Sequence, residues 1–264
     1  MIVAIANRKG GTGKTTTAVN LAAEWAVAGY ATLLVDLDTQ GHAALGVGCG
    51  QPRPDRPGIH RIFHDPEFPL QAALLETGID SLTLLPADPN YLGDGDSADS
   101  LRLARAFKAA KLDQHFDRIV LDTPPTLDTV LINALSVAQG IIAPFVPHHL
   151  AGVAVRQLAK LFYRIATQEN PGLSHFSLVP VMLDRRLNLH QRVIGGLRHQ
   201  FGKQRLMRGI RNNISLAEAF EQGLPARLYA PRSPGAMDYK LLSSEIDALW
   251  NDKPTSNPRL KGTL

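Results

Sequence analysis

The residues with the clearest chemical purpose lie between positions 9 and 16, in the run Lys9-Gly10-Gly11-Thr12-Gly13-Lys14-Thr15-Thr16. This run follows an apolar segment and leads into a helical pattern. Glycines there let backbone N–H groups turn inward around an anion, and the helix N-terminus adds its partial positive charge. Lys14 is then spaced to meet the β- and γ-phosphates of a nucleotide, and the Thr15 hydroxyl to ligate Mg²⁺. The usual phosphate loop has a glycine five residues before Gly13. Arg8 stands there instead, and a second lysine, Lys9, precedes the paired glycines. The bland alternative is a tight strand-to-helix turn that binds nothing, and Gly-Lys-Thr in this context argues against it.

Such a loop needs a scaffold, and the rest of the chain supplies one. Short apolar runs at 2–6, 32–36, 82–85, 118–122, 141–145 and 177–183 read as strands. They lack the polar alternation of a half-exposed sheet, so both faces should be covered. Helical patterns lie between them near 14–29, 101–112, 129–138, 150–169, 188–201 and 236–250. The alternation predicts an α/β fold, a doubly wound and mostly parallel sheet flanked by helices. Ligands in such sheets bind at the carboxyl ends of the strands. Residues 1–250 read as one domain built around the phosphate loop. The Pro- and Arg-rich segment 51–57 reads as a surface loop, 86–100 as a mobile loop, and 251–264 as a disordered tail.

Bulk properties narrow the classes. Of 264 residues, 44% are hydrophobic and 20% charged, which is ordinary globular composition. No apolar run is long enough to span a bilayer. The start has no basic segment ahead of its apolar stretch and reads as a buried strand, not a signal peptide. Cys49 is the only cysteine, so an intrachain disulfide and a cysteine-ligated cluster are both excluded, and a cytosolic location is expected. Net charge is +4, unevenly spread: residues 185–211 hold eight Lys and Arg residues and no acid. That segment suggests a polyanionic partner, with a solvated face as the plain alternative.

The run KGGTGKTT resembles the deviant Walker A motif of the ParA/MinD family of ATPases. The likeness extends through VDLDTQGHAALG (residues 35–46), LDTPPTLDTVLINAL (121–135) and MLDRRLNLHQRVI (182–194). It continues in the segment 215–239, which follows the pattern of the small Soj-like partition ATPases. It implies ATP and Mg²⁺ as ligands, with Lys9, Gly10, Gly11, Thr12, Gly13, Lys14, Thr15 and Thr16 around the phosphates. It makes Lys14 the Walker lysine and Lys9 the signature lysine that reaches a partner's phosphates across a sandwich dimer. Gly10 falls where the two subunits approach closest. Asp38 matches the acid that helps activate the attacking water and stands near Mg²⁺, although a turn acid before Gln40-Gly41 is the alternative. Asp122 matches the residue that holds Mg²⁺, and Asp36 looks structural. Asn213 aligns with an adenine-recognising asparagine, but Arg211-Asn212-Asn213 replaces the usual Pro-Arg-Asn. His42 replaces an asparagine and reads as packing or surface.

The resemblance leaves three classes to weigh. A MinD-like membrane ATPase carries a C-terminal amphipathic helix, and Pro254, Pro258 and Gly262 argue against one here. Metabolic relatives need cluster cysteines or additional substrate-binding segments, and neither is recognised. The expectation is therefore a ParA-like switch: an ATP-dependent homodimer, nonspecific double-stranded DNA, and a ParB-like or equivalent cargo adaptor, with no membrane. It would be cytoplasmic and nucleoid-associated, a slow ATP hydrolase stimulated by its partner. On the predicted helix 188–201, Leu189, Val193, Ile194, Leu197 and Phe201 should face the core. Arg192, Arg198, Lys203, Arg205, Arg208 and Arg211 are then the candidates for DNA phosphates. Arg232 aligns with a DNA-contacting arginine of the Soj-like proteins, or pairs with a carboxylate within the fold. The sequence has no N-terminal helix-turn-helix segment, so operator recognition is not expected.

Overall fold

The strands of the protein are β1 (Ile2–Ile5), β2 (Thr32–Asp36), β3 (Leu75–Glu76), β4 (Leu82–Leu85), β5 (Arg118–Asp122), β6 (Gly140–Phe145) and β7 (His175–Pro180). The computed structural model describes residues 1–53, 55–93 and 99–250, and joins these strands in one sheet ordered β3-β4-β2-β5-β1-β6-β7. Every pairing is parallel except β3 with β4. The tail at 251–264 and part of the loop expected at 86–100 lie outside the described residues.

The helices are α1 (Lys14–Val27), α2 (His42–Gly46), α3 (Arg102–Ala109), α4 (Leu112–His115), α5 (Thr129–Val137), α6 (Ala151–Gln168), α7 (Asn188–Phe201), α8 (Ser215–Glu221), α9 (Ala226–Tyr229) and α10 (Pro234–Trp250). They cover both faces of the sheet, and alternate strand residues divide between two cores. Ala4, Leu33, Ile119 and Leu121 pack with α3, α5 and α6. Val3, Ile5, Leu34 and Val120 pack with α1 and α10. This two-sided burial is why the central strands read as unbroken apolar runs.

Two expectations change. Residues 177–183 do not form one strand: the ladder with β6 ends at Pro180, and Leu183 makes a separate parallel bridge to Arg211. Leu189 does not face the core. It is 42% exposed, whereas Leu197 is buried and Val193, Ile194 and Phe201 pack partly against the core. Helix α7 packs through Leu197 in its later turns and is anchored at its start by His190, which is buried and accepts the Asp184 N–H at 3.1 Å on Nδ1, while Leu189 turns to solvent.

Candidate functional site

β1 is central in the sheet, with β5 on one side and β6 on the other, and the phosphate loop leaves its carboxyl end. Asn7 fixes the loop's base. Its Nδ2 donates to the Pro144 carbonyl at 2.7 Å, and its Oδ1 accepts the Lys9 N–H at 3.0 Å. Gly11 and Gly13 have φ of 70° and 72°, a region that side chains other than glycine adopt at a cost. Gly13 is the N-cap of α1, so the unpartnered amides of the helix's first turn open into the loop. The Thr12 hydroxyl braces the loop from inside by donating to the Lys9 carbonyl at 3.2 Å.

The acids meet this loop from the neighbouring strand ends. Asp122 is in register with Asp36 on β2 and Ile5 on β1, which sets two buried carboxylates side by side. Burial pushes the Asp122 carboxyl up, to about 7, against the pull of the Thr15 hydroxyl and Lys14, while Asp38 adds to the rise. The Thr15 hydroxyl faces Asp122 without reaching hydrogen-bond geometry, and both Asp122 oxygens are left without a hydrogen-bond partner. Asp36 is also raised by burial, then by Asp122, yet each of its oxygens has a hydrogen-bond partner. Its two oxygens accept the N–H groups of Asp38 at 3.1 Å and Ala43 at 3.0 Å. Asp36 therefore shapes the segment that carries Asp38, and Asp122 is the buried acid whose two oxygens both lack a hydrogen-bond partner.

Lys14 is 8% exposed, and burial lowers its proton affinity against the opposing pull of Asp122 and Asp38. Asp38 is half-buried. One of its oxygens accepts the Gln40 N–H at 3.1 Å, as the turn reading expects, and the group still lies close enough to act electrostatically on Lys14 and Asp122. Mg²⁺ fits this donor set: an orphaned buried carboxylate and a threonine hydroxyl beside a phosphate cradle suit a cation that keeps waters and shares phosphate oxygens. Lys9 points elsewhere. It is exposed, and its Nζ lies 2.8 Å from Nε2 of His148 on the turn between β6 and α6.

Beside the loop is a cavity of about 370 Å³, lined by Gly13, Thr16, Val181, Asn213, Leu216 and Phe220 among others. Its size and apolar walls suit a nucleoside base. The Asn213 Oδ1 is buried there without a partner. Arg211 also lines the cavity, and its guanidinium is held in a two-point pair with Asp238 at 2.9 Å for both contacts.

The basic candidates separate into two groups. Arg192, Arg198, Lys203 and Arg232 are exposed. Arg205 donates to the Tyr163 hydroxyl at 2.9 Å, Arg208 pairs with Glu245 at 3.8 Å, and Arg211 is taken by Asp238. Sequence reasoning passed over Asn7, His60 and His148. Asn7 is a lone polar residue directly after a strand, and the two histidines carry no motif.

A glycine-rich loop between the central parallel strand and a helix, with a buried lysine and carboxylates at the adjoining strand ends, defines a P-loop nucleotide hydrolase. A family model described as an AAA domain matches residues 1–175. The chromosome-partitioning ATPase Soj of Thermus thermophilus is 36% identical over 246 residues, covering 93% of this chain and 95% of that one. The chromosome partitioning protein ParA of Caulobacter vibrioides is 32% identical over 257 residues, covering 96% of each. Among solved structures, cobyrinic acid a,c-diamide synthase from Mycobacterium smegmatis, with bound ATP analogue and magnesium, matches with a TM-score of 0.79. That pair is 27% identical, with 95% of this chain and 96% of the synthase covered. The chain belongs to the ParA/MinD family of P-loop ATPases. It is an ATP hydrolase that uses Mg²⁺. Because the synthase is covered almost end to end, the presence or absence of additional segments does not separate it from this chain.

Proposed function

We propose that this ATPase is a ParA-like positioning switch. Two copies close over ATP and Mg²⁺, the closed pair holds double-stranded DNA of any sequence, and a ParB-like or equivalent adaptor triggers hydrolysis and release. In this reading residues 1–250 act as one unit in the cytoplasm, on the nucleoid. Lys14 and the loop amides hold the phosphates, Asn213 meets the base, and Asp38 orients or deprotonates the attacking water. Bound Mg²⁺ would neutralise phosphate charge, with Thr15 and Asp122 on its side of the nucleotide and Asp38 near it.

The observation that carries this reading is the direction of Lys9. Its ammonium leaves its own cradle for the rim at His148, where a second protomer's phosphate could take it. Gly10 adds to it: a Cβ there would meet nothing within 4 Å in the protomer, so only a neighbouring copy would feel a side chain. Light scattering with and without ATP and Mg²⁺ tests the reading. Wild type should dimerise only with ATP, and Lys9→Ala and Gly10→Val should fold, bind ATP and stay monomeric. Lys14→Ala should lose productive ATP binding. ATP-driven dimers in both Lys9→Ala and Gly10→Val would reject the sandwich.

The likeness to the synthase favours one other reading, activation of a carboxylic acid substrate with ATP. Hydrolysis of ATP without any acid co-substrate, at a slow basal rate that DNA and an adaptor raise, separates the switch from it.

A further inference from the structure

We propose that His60 is a positioning residue for Asp38, acting by fixing the peptide that joins Leu37 to Asp38. The proposal rests on the reading of Asp38 as the residue that orients the attacking water. His60 lies on a short 3-10 turn, Ile59–Phe63, and is 1% exposed. Its Nδ1 accepts the Asp88 backbone N–H at 3.1 Å. An amide N–H can only donate, so the ring proton of the neutral imidazole is on Nε2. That Nε2–H donates to the Leu37 carbonyl at 3.2 Å.

The other side of the same peptide is also held. The Asp38 N–H donates to Asp36 Oδ1 at 3.1 Å, while the N–H of Leu37 donates to the Asp122 carbonyl at 2.9 Å. Both polar ends of the Leu37–Asp38 peptide therefore end on buried groups, and its plane has little freedom to rotate. Rotation of that plane would swing the Asp38 side chain relative to Lys14 and Asp122.

His60 is itself clamped. The Ile59 N–H donates to the Pro86 carbonyl at 2.8 Å. Gly58 lies so close to the next segment that a Cβ would come within 2.5 Å of the Ala87 backbone, so this approach requires glycine. The imidazole stacks on Tyr91 with ring centres 4.7 Å apart. Burial lowers the proton affinity of His60, to about 4, against the pull of the Leu37 carbonyl, Asp88, Asp38 and Asp128, so one neutral tautomer persists across working pH. A histidine that merely filled space would need neither its donor nor its acceptor, and this one uses both.

Steady-state and single-turnover hydrolysis at saturating ATP and Mg²⁺, with ATP Kd measured separately, tests the assignment. His60→Phe keeps a ring on Tyr91 and removes both hydrogen bonds. It should lower kcat by about 10- to 100-fold, in line with the cost of misplacing a catalytic group, and leave the Kd within about twofold. His60→Gln can place a donor near Leu37 and should recover most of kcat. His60→Asn reaches only as far as the Asp88 amide and should resemble His60→Phe. Adding His60→Phe to Asp38→Ala should slow Asp38→Ala no further.

Wild-type kcat in folded His60→Phe would overturn the proposal, as would equal kcat in the Gln and Asn variants or an additive loss with Asp38→Ala. If His60→Phe fails to fold, the Gln and Asn pair decides alone. If Asp38→Ala hydrolyses ATP at the wild-type rate, the reading of Asp38 fails first and the proposal falls with it. A slow Asp38→Ala beside a normal His60→Phe removes only the positioning role.

Discussion

Lys9 Nζ sits 2.8 Å from His148 Nε2, while His148 Nδ1 accepts the Leu150 N–H at 3.1 Å. With Nδ1 accepting, the neutral ring carries its proton on Nε2, and that proton faces an ammonium group that only donates. The contact is frustrated. Partial burial, then Lys9, then His149 keep the His148 proton affinity below that of a free histidine. The lysine is held by a partner that gives it little.

We therefore expect His148 to leave Lys9 readily released for a second protomer. Because that contact restrains Lys9 so little, His148→Ala should leave the ATP concentration at half-maximal dimerisation within about twofold of wild type, and His148→Glu, which offers a true ion pair, should raise it. Exposed ion pairs contribute about 0.2–1 kcal/mol, so the rise in His148→Glu should be at most about fivefold. Because the folded pKa is lowered, His148 stays neutral through the ordinary histidine range and gains a charge that opposes Lys9 only as pH falls through the lowered value. Light scattering across ATP concentrations reads the shift, and identical midpoints in all three proteins would refute it.

The sequence shows the phosphate loop and the central strands because both are local: glycine spacing and apolar runs are written in consecutive residues. β3 is only two residues long and contributes no run to detect. Helices α8 and α9 are too short for a periodic signal. The basic segment illustrates what composition cannot supply. Its acid-free stretch is real, yet Arg208 and Arg211 find Glu245 and Asp238 on α10, remote in sequence and adjacent only after folding. His60 is hidden for the same reason, since its two partners come from segments on either side of it in the chain.

The unpartnered Asn213 oxygen predicts base selectivity. An acceptor at that depth suits the amino group of adenine and opposes the carbonyl oxygen of guanine. Asn213→Leu should weaken ATP and ADP by a common factor of about tenfold, leave GTP nearly unchanged, and spare kcat at saturation. Competition titrations with the three nucleotides would show it, and retained selectivity would place recognition elsewhere in the cavity.

Glu24 makes the stability of the fold depend on pH. It is 5% exposed inside α1, and its Oε1 has no hydrogen-bond partner. Burial raises its carboxyl to about 7, against the pull of Arg227 and Lys240. A raised folded pKa means that its contribution is full below the unfolded value near 4.5 and is lost as pH rises through about 7. Glu24→Gln, which cannot ionise, should be more stable than wild type at pH 8 by roughly 1–3 kcal/mol. That gap should close toward pH 5. Urea melts at the two pH values measure it, and a pH-independent gap would mean that Glu24 does not titrate in this window.

Fewer basic side chains are available to DNA phosphates than the charge run suggested. Arg208 and Arg211 are tied to carboxylates, so replacing them by acid would strain the fold before it reported on DNA. Arg192, Arg198, Lys203 and Arg232 are exposed, and these are the side chains to test. One protomer could neutralise about four phosphates with them, and a dimer about eight. Counterion release then gives a slope of log affinity against log salt near −3.6 for the monomer and near −7 for the dimer. Binding to unrelated duplexes should therefore be weak with ADP, stronger with ATP, and more steeply salt-dependent with ATP. Reversing all four charges should abolish it while ATP-driven dimerisation persists. Anisotropy titrations at several salt concentrations would decide between outcomes. Equal slopes in both nucleotide states would reject gating by dimerisation, and unaltered affinity in the fourfold variant would assign any DNA contact to other side chains.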